Sequence, residues 1–276
     1  MDYLFAPAWA GGWTLCRWMF GVAALWGHVP HLAQLADAYA CSDMLFTNGP
    51  YRLTEWIVWR PPTATALWAV GLVGIGMFTW GGRLTRPGLL LYLLGAWSLL
   101  GEEAINVKAH DRLGLWIAVA LCFSPAGERS LTNKFRSPSA RWFLIIIFFW
   151  LYASTGSLKL VQEPGWRDGT ALQYSLLHQF HAGGTLAIWL STQPALCRVL
   201  GWCTVGFELG FPLLVGWRRT NPWILACGVG FHLGILAMMN VGAFSLVALS
   251  AYPVLLHPDA GRALWERRRA LRGFGD

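Results

Sequence analysis

The residues best equipped for chemistry lie between Tyr152 and Asp168. An apolar run, Trp142 to Leu151, gives way within two turns to Tyr152, Ser154, Thr155, Gly156, Ser157 and Lys159. A helix returns to one face at i+3, i+4 and i+7, so Tyr152, Thr155, Gly156 and Lys159 share a stripe. An amine ending such a stripe is costly in an apolar surrounding unless it faces a cavity, a partner or water. Desolvated and suitably placed, it is a candidate general base. Pro164 and Gly165 then break the helix, and Trp166-Arg167-Asp168-Gly169 form a polar turn. A snorkelling lysine with an interfacial tryptophan is the simpler alternative. It leaves unexplained the small polar residues that lead up to Lys159.

Other ionisable residues stand alone in apolar stretches: Arg17, Glu208 and His232, the last followed two turns on by Asn240. Counted at 1.5 Å per residue from the ends of their helices, Arg17 and Glu208 lie roughly 9 and 13 Å deep. Similar depth and opposite charge predict a structural ion pair between them. His232 reads equally well as a buried histidine with a hydrogen-bond partner and as part of a site. His28/His31 and His178/His181 have i,i+3 spacing, which can bring two imidazoles to one face, but no carboxylate or cysteine completes a ligand set. No metal site is therefore expected. Nucleotide-binding glycine loops and the common hydrolase motifs are absent from the sequence.

The elements that must position these residues follow from composition. The chain has 276 residues, 55% hydrophobic and only 13% charged, and its mean hydropathy is +0.44. Soluble domains carry about 25% charged residues. The expected fold class is therefore all-α, a polytopic membrane helix bundle of about eight transmembrane helices plus an interfacial or re-entrant helix. The spans are read at 11–36, 63–81, 87–101, 112–125, 141–160, 195–217, 222–240 and 242–257, with Pro30 ending or kinking the first. Residues 170–183 supply the interfacial helix. Eighteen tryptophans suit membrane interfaces. The six cysteines form no CxxC pair; Cys16, Cys122, Cys197, Cys203 and Cys227 read as small core residues and Cys41 as a loop residue.

The loops set orientation. Arg83 and Arg86, the group Arg129, Lys134, Arg136 and Arg141, then Arg218 and Arg219, and finally the tail arginines occupy every second connection. Under the positive-inside rule both termini are cytoplasmic and Lys159 ends an outward-running helix. His110, after the third span, falls on the same outer side and would hydrogen-bond a ring oxygen or an anionic intermediate. Lys159 with His110 suits proton abstraction from an acidic, lipid-soluble hydroxyl such as a quinol. The net charge of +7 is leaflet-facing, so nucleic acid is not an expected partner. No signal peptide is expected, since Asp2 replaces a basic leader region.

Three segments carry a family resemblance. Residues 152–171, YASTGSLKLVQEPGWRDGTA, residues 104–114, AINVKAHDRLG, and Phe231-His232 with Asn240 and Phe244-Ser245 resemble the HTTM (horizontally transferred transmembrane) domain, the membrane module of vitamin K-dependent gamma-carboxylases and their bacterial relatives. The resemblance implies an HTTM-like domain over 10–258 and a basic cytoplasmic tail over 259–276. It implies Lys159 as catalytic base and His110 as a second catalytic residue. Tyr152, Trp166, Arg167, Asp168, His232 and Asn240 would line the substrate site. The implied cofactor is a quinol resembling vitamin K hydroquinone. In the carboxylases, oxygen converts the deprotonated quinol into an alkoxide that removes a glutamyl gamma-proton, and carbon dioxide captures the carbanion. Two departures stand out. Ala109 replaces the family's asparagine and Leu158 the usual neighbour of the lysine. In addition, the sequence extends only about twenty residues beyond its last expected helix, where full carboxylases carry a large non-cytoplasmic domain. The alternative is a non-catalytic membrane partner, of the peptide-maturation type, that binds a lipid, a quinone or an exported peptide. The expected setting is the bilayer of a bacterial inner membrane. Oligomeric state is not legible.

Overall fold

The computed structural model of the chain describes residues 7–30, 32–33, 61–102, 109–127, 135–136, 138–178 and 183–272. The chain divides into two compact units, one holding residues 9–136 and 242–254, the other residues 1–8, 137–241 and 255–276. The fold is all-helical; the only extended elements among the described residues are two strands of two residues each, β1 (Ala8–Trp9) and β2 (Phe135–Arg136).

In the first unit, α1 (Ala10–His28) packs on α2 (Pro61–Trp80), α2 on α3 (Thr85–Glu102), and α3 on α4 (Ala109–Cys122). Within the expected first span, 11–36, α1 ends at His28; Leu32 and Ala33 are helical again, and residues 31 and 34–36 lie outside the described residues. Pro30 has no N–H to continue the ladder, and its ring obstructs the preceding turn. His28 is held by this unit: its Nε2 lies 2.9 Å from the Trp68 carbonyl, and the Trp68 indole N–H donates to the His28 carbonyl. The histidine pair at 28 and 31 is thus met by one residue in a hydrogen-bonded role, while His31 lies outside the described residues, as do Cys41 and His181.

In the second unit, α5 (Ser139–Val161) is followed by the single turn α6 (Gly165–Asp168) and by α7 (Thr170–Leu177) and α8 (Thr185–Ser191). Then come α9 (Pro194–Leu214) and α10 (Asn221–Met238). Proline falls in the first turn of both, where the missing N–H has no intrahelical partner to lose. Of the stretch 170–183 expected as an interfacial helix, Thr170–Leu177 is the helix α7, with α8 beside it, and residues 179–182 lie outside the described residues. Gln173 donates from its amide to the Ser191 carbonyl, and Leu172, Leu176, Ala187, Leu190 and Cys197 form a small apolar cluster under Trp166. α11 (Phe244–Leu255) belongs to the first unit, and α12 (Pro258–Arg272) to the second. The basic tail is helical as far as Arg272, with Arg218 paired to Asp259 at 3.1 Å.

Each of the eight stretches read as a span contains a helix. Four of them, Pro62–Trp80, Ser139–Val161, Pro194–Leu214 and Asn221–Met238, are long and apolar enough to cross a bilayer, and Phe244–Leu255 is a shorter apolar helix. Cys203 and Cys227 are exposed on such helices, whereas Cys16 and Cys197 are buried. The reading of all five as core residues is corrected for those two: the outer surface of a membrane bundle is as apolar as its core, so an apolar run does not mark burial.

Candidate functional site

One face of α5 is buried at a spacing of four: Ala140, Leu144, Phe148, Tyr152 and Gly156. Ile146, Phe149 and Trp150 point outward. The buried face packs on α9, whose own buried residues are Cys197, Gly201, Val205, Glu208 and Phe211. Lipid supplies no hydrophobic drive for such pairing, so close van der Waals packing and small residues must provide it. Gly156 is that small residue: a Cβ there would lie 3.0 Å from both the Glu208 Cβ and the Leu209 Cγ.

One turn beyond Gly156, the Lys159 Nζ donates to Glu208 Oε1 at 2.5 Å. The Lys159 side chain is 18% exposed and that of Glu208 only 6%. The amine also lies 4.5 Å from the centre of the Trp166 ring, a cation–π contact that covers its remaining face. Trp166 is fixed in turn, its indole N–H donating to Glu163 Oε2 at 2.7 Å. The other carboxylate oxygen, Glu208 Oε2, is buried with no hydrogen-bond partner. A buried acceptor left unmade costs on the order of 1–3 kcal/mol. The site thus holds one engaged cation and one open acceptor.

The turn that carries Trp166 is built to be rigid. Pro164 stops α5, and Asp168 Oδ1 accepts from the main-chain N–H and the hydroxyl of Thr170. The Thr170 hydroxyl, then its N–H, then Arg198 and Arg167 hold the Asp168 carboxyl below the usual carboxylate range. Gly169 has φ +92°, and a Cβ there would meet the Arg198 main chain at 2.6 Å, so only glycine lets the turn sit on α9.

Deeper along the stripe, Tyr152 and His232 are hydrogen-bonded through Oη and Nε2 at 2.8 Å, and both are buried. Phe148, Phe207 and Phe211 pack around the tyrosine ring. These aromatic rings lie along the same buried face of α5 as Gly156 and the Lys159–Glu208 contact.

The expected ion pair is corrected. Glu208 is bound by Lys159, not by Arg17, and Arg17 donates from Nη1 to the carbonyls of Phe78, at 2.8 Å, and Thr79. Similar depth does not say which neighbour a helix faces, and α9 faces α5. Among the other expected site residues, Arg167, Asp168 and Asn240 are exposed, and Arg198 Nε donates to the Asp168 carbonyl. His110 lies in the first turn of α4, and its side chain is outside the described residues. Glu208 is the site residue that sequence reasoning placed elsewhere. Its signal was available: one carboxylate in an apolar helix, with one lysine ending another.

Four helices long and apolar enough to cross a bilayer mark an integral membrane protein of several passes. The HTTM domain matches residues 5–260, nearly the whole chain, and the chain belongs to that family. No curated protein and no solved structure matches it.

Proposed function

We propose that the chain crosses the membrane eight times with both termini cytoplasmic, and that the Lys159–Glu208 pair transfers protons for a lipid-soluble hydroxyl substrate such as a quinol. The observation that carries this reading is the direct contact of the Lys159 amine with a buried carboxylate whose second oxygen has no partner. A lysine and a carboxylate in contact exchange a proton without moving heavy atoms. With the proton on Glu208, the amine of Lys159 is neutral and is the base that takes the substrate O–H proton. The pair then holds two protons, an ammonium on Lys159 and a neutral carboxyl on Glu208, and returns to its starting charge when the carboxyl releases its proton. Trp166 closes the amine against bulk water, and the tyrosine–phenylalanine walls hold an aromatic ring.

The alternation of basic connections supports the eight passes and the orientation, and a bacterial inner membrane is the setting such a rule describes. Membership in the HTTM family supports a carboxylase-like role for the lysine. A second reading rests on the same pair: a lysine engaged by both Glu208 and Trp166 is also how a non-catalytic module would close a binding site for a lipid, a quinone or an exported peptide.

The test is consumption of vitamin K hydroquinone by the full chain in proteoliposomes, with Lys159→Arg and Glu208→Gln alongside. Arginine stays protonated and cannot serve as base. Both variants are expected to be inactive while remaining folded. Full activity in Lys159→Arg would remove the base mechanism. Inactive wild-type protein that nevertheless co-purifies with a lipophile, identified by mass spectrometry, would favour the binding module.

A further inference from the structure

The first unit contains a second polar site that the Lys159 account does not use. A short 3₁₀ turn, Gly82–Leu84, leads from α2 into α3, and the loop after α4, Ser124–Gly127, lies against it. The two are joined by the Gly82 N–H, which donates to the Gly127 carbonyl at 2.8 Å. Between them is a cleft of about 570 Å³ lined by Arg83, Thr85, Arg86, Leu121 and Ser124, among others. The guanidinium groups belong to exposed residues. Thr85 does not: it is 2% exposed, and its buried Oγ1 has no hydrogen-bond partner. The Ser124 hydroxyl, by contrast, is spent, donating to the Leu121 carbonyl and accepting from the Ala126 N–H.

A membrane-topology signal requires only basic residues near the bilayer. It does not require a cleft, or a hydroxyl withdrawn from water with nothing to bond. Two guanidinium groups three residues apart, a hydroxyl between them in sequence and the positive end of an 18-residue helix all favour one ligand chemistry, a phosphate group. Leu84 is exposed in the turn, and exposed Leu90 and Leu94 continue along the helix, a path for acyl chains leaving the cleft.

We propose that this cleft binds the phosphate of an anionic phospholipid headgroup, with Arg83 and Arg86 as its charge partners and Thr85 Oγ1 as a buried donor. Basic pockets at the ends of membrane helices are suited to such headgroups. The site is independent of the Lys159 chemistry.

The experiment is native mass spectrometry of the purified full chain titrated with phosphatidylglycerol, phosphatidylcholine or inorganic phosphate. Phosphatidylglycerol is expected to bind saturably and about tenfold more tightly than phosphatidylcholine, and R83Q/R86Q should weaken it by about fivefold for each arginine lost. T85V keeps shape and charge and should weaken binding by about fivefold, the worth of one hydrogen bond. R219Q/R267Q, which removes equal charge from exposed positions elsewhere, should change it less than about twofold. Equal weakening by both arginine pairs, or an unchanged T85V, would overturn the site in favour of diffuse attraction. Inorganic phosphate binding as tightly as the lipid, and dependent on Thr85, would overturn the lipid assignment and leave a free-phosphate site.

Discussion

Two cations of this chain, one in each unit, are compensated in different ways. Arg17, fully buried in α1, reaches the carbonyls of Phe78 and Thr79 in the last turn of α2. Those carbonyls have no partner within their own helix, and a cation there also meets the negative end of the helix. Arg17 is therefore a helix cap delivered from a neighbouring helix. Lys159 instead meets a carboxylate, and that carboxylate keeps one oxygen open. A cap made from main-chain carbonyls cannot accept a proton at neutral pH. A carboxylate can. The same requirement, to compensate a cation away from water, thus produces a fixed structural device in one unit and a group able to exchange protons in the other.

The contrast breaks first at Glu208. Glu208→Ala strands a largely buried ammonium, and removing one partner of a buried pair costs about 3–5 kcal/mol. The expected outcome is a large fall in melting temperature and in yield of monodisperse protein. Replacing both members, Lys159→Met with Glu208→Leu, should recover most of that loss, because apolar residues of similar volume often match a buried pair in stability. A double variant as unstable as the single would show that the pair is not the source of the cost.

Arg17→Met comes next. It removes charge-assisted bonds to two carbonyls, worth about 1.5–3 kcal/mol, and should lower thermal stability without affecting the Lys159 site. If Arg17→Met abolished substrate turnover while leaving the melting temperature unchanged, Arg17 would have a role beyond capping. Tyr152→Phe deletes the bond to His232 and is expected to cost about 1 kcal/mol, a shift of a few degrees by differential scanning fluorimetry.

The smallest effect belongs to Asp168. Its carboxyl is depressed by Thr170, so the turn gains from ionisation above the unfolded value near 3.9 and loses that gain only as pH falls through the lower folded value. Between pH 5 and 8 the turn should be insensitive to pH. Asp168→Ala should change stability little, because the carboxylate is exposed. A proteolysis assay of the turn across pH 3–8 reports both.

Much of this was readable from residues alone. Each expected span holds a helix because long apolar runs between basic turns have few other conformations. The stop before Pro30 and the turn at Pro164-Gly165 follow from backbone chemistry. The partner of Glu208 was not readable in the same way. A charge in an apolar run declares that it needs compensation, but the choice among Arg17, Lys159 and main-chain carbonyls depends on which helices touch. That contact is set by Gly156 against α9, a small residue that a depth count does not weigh. Thr85 was hidden for a related reason: its hydroxyl matters only because the fold buries it without a partner.

The most direct measurement of the central claim is oxygen-dependent loss of vitamin K hydroquinone in proteoliposomes, compared between wild type, Lys159→Arg and Glu208→Gln at matched folded protein. The account predicts that wild type accelerates the loss above empty liposomes and that both variants fall to background with their folds intact. Wild type equal to empty liposomes, or Lys159→Arg at the full wild-type rate, would contradict it.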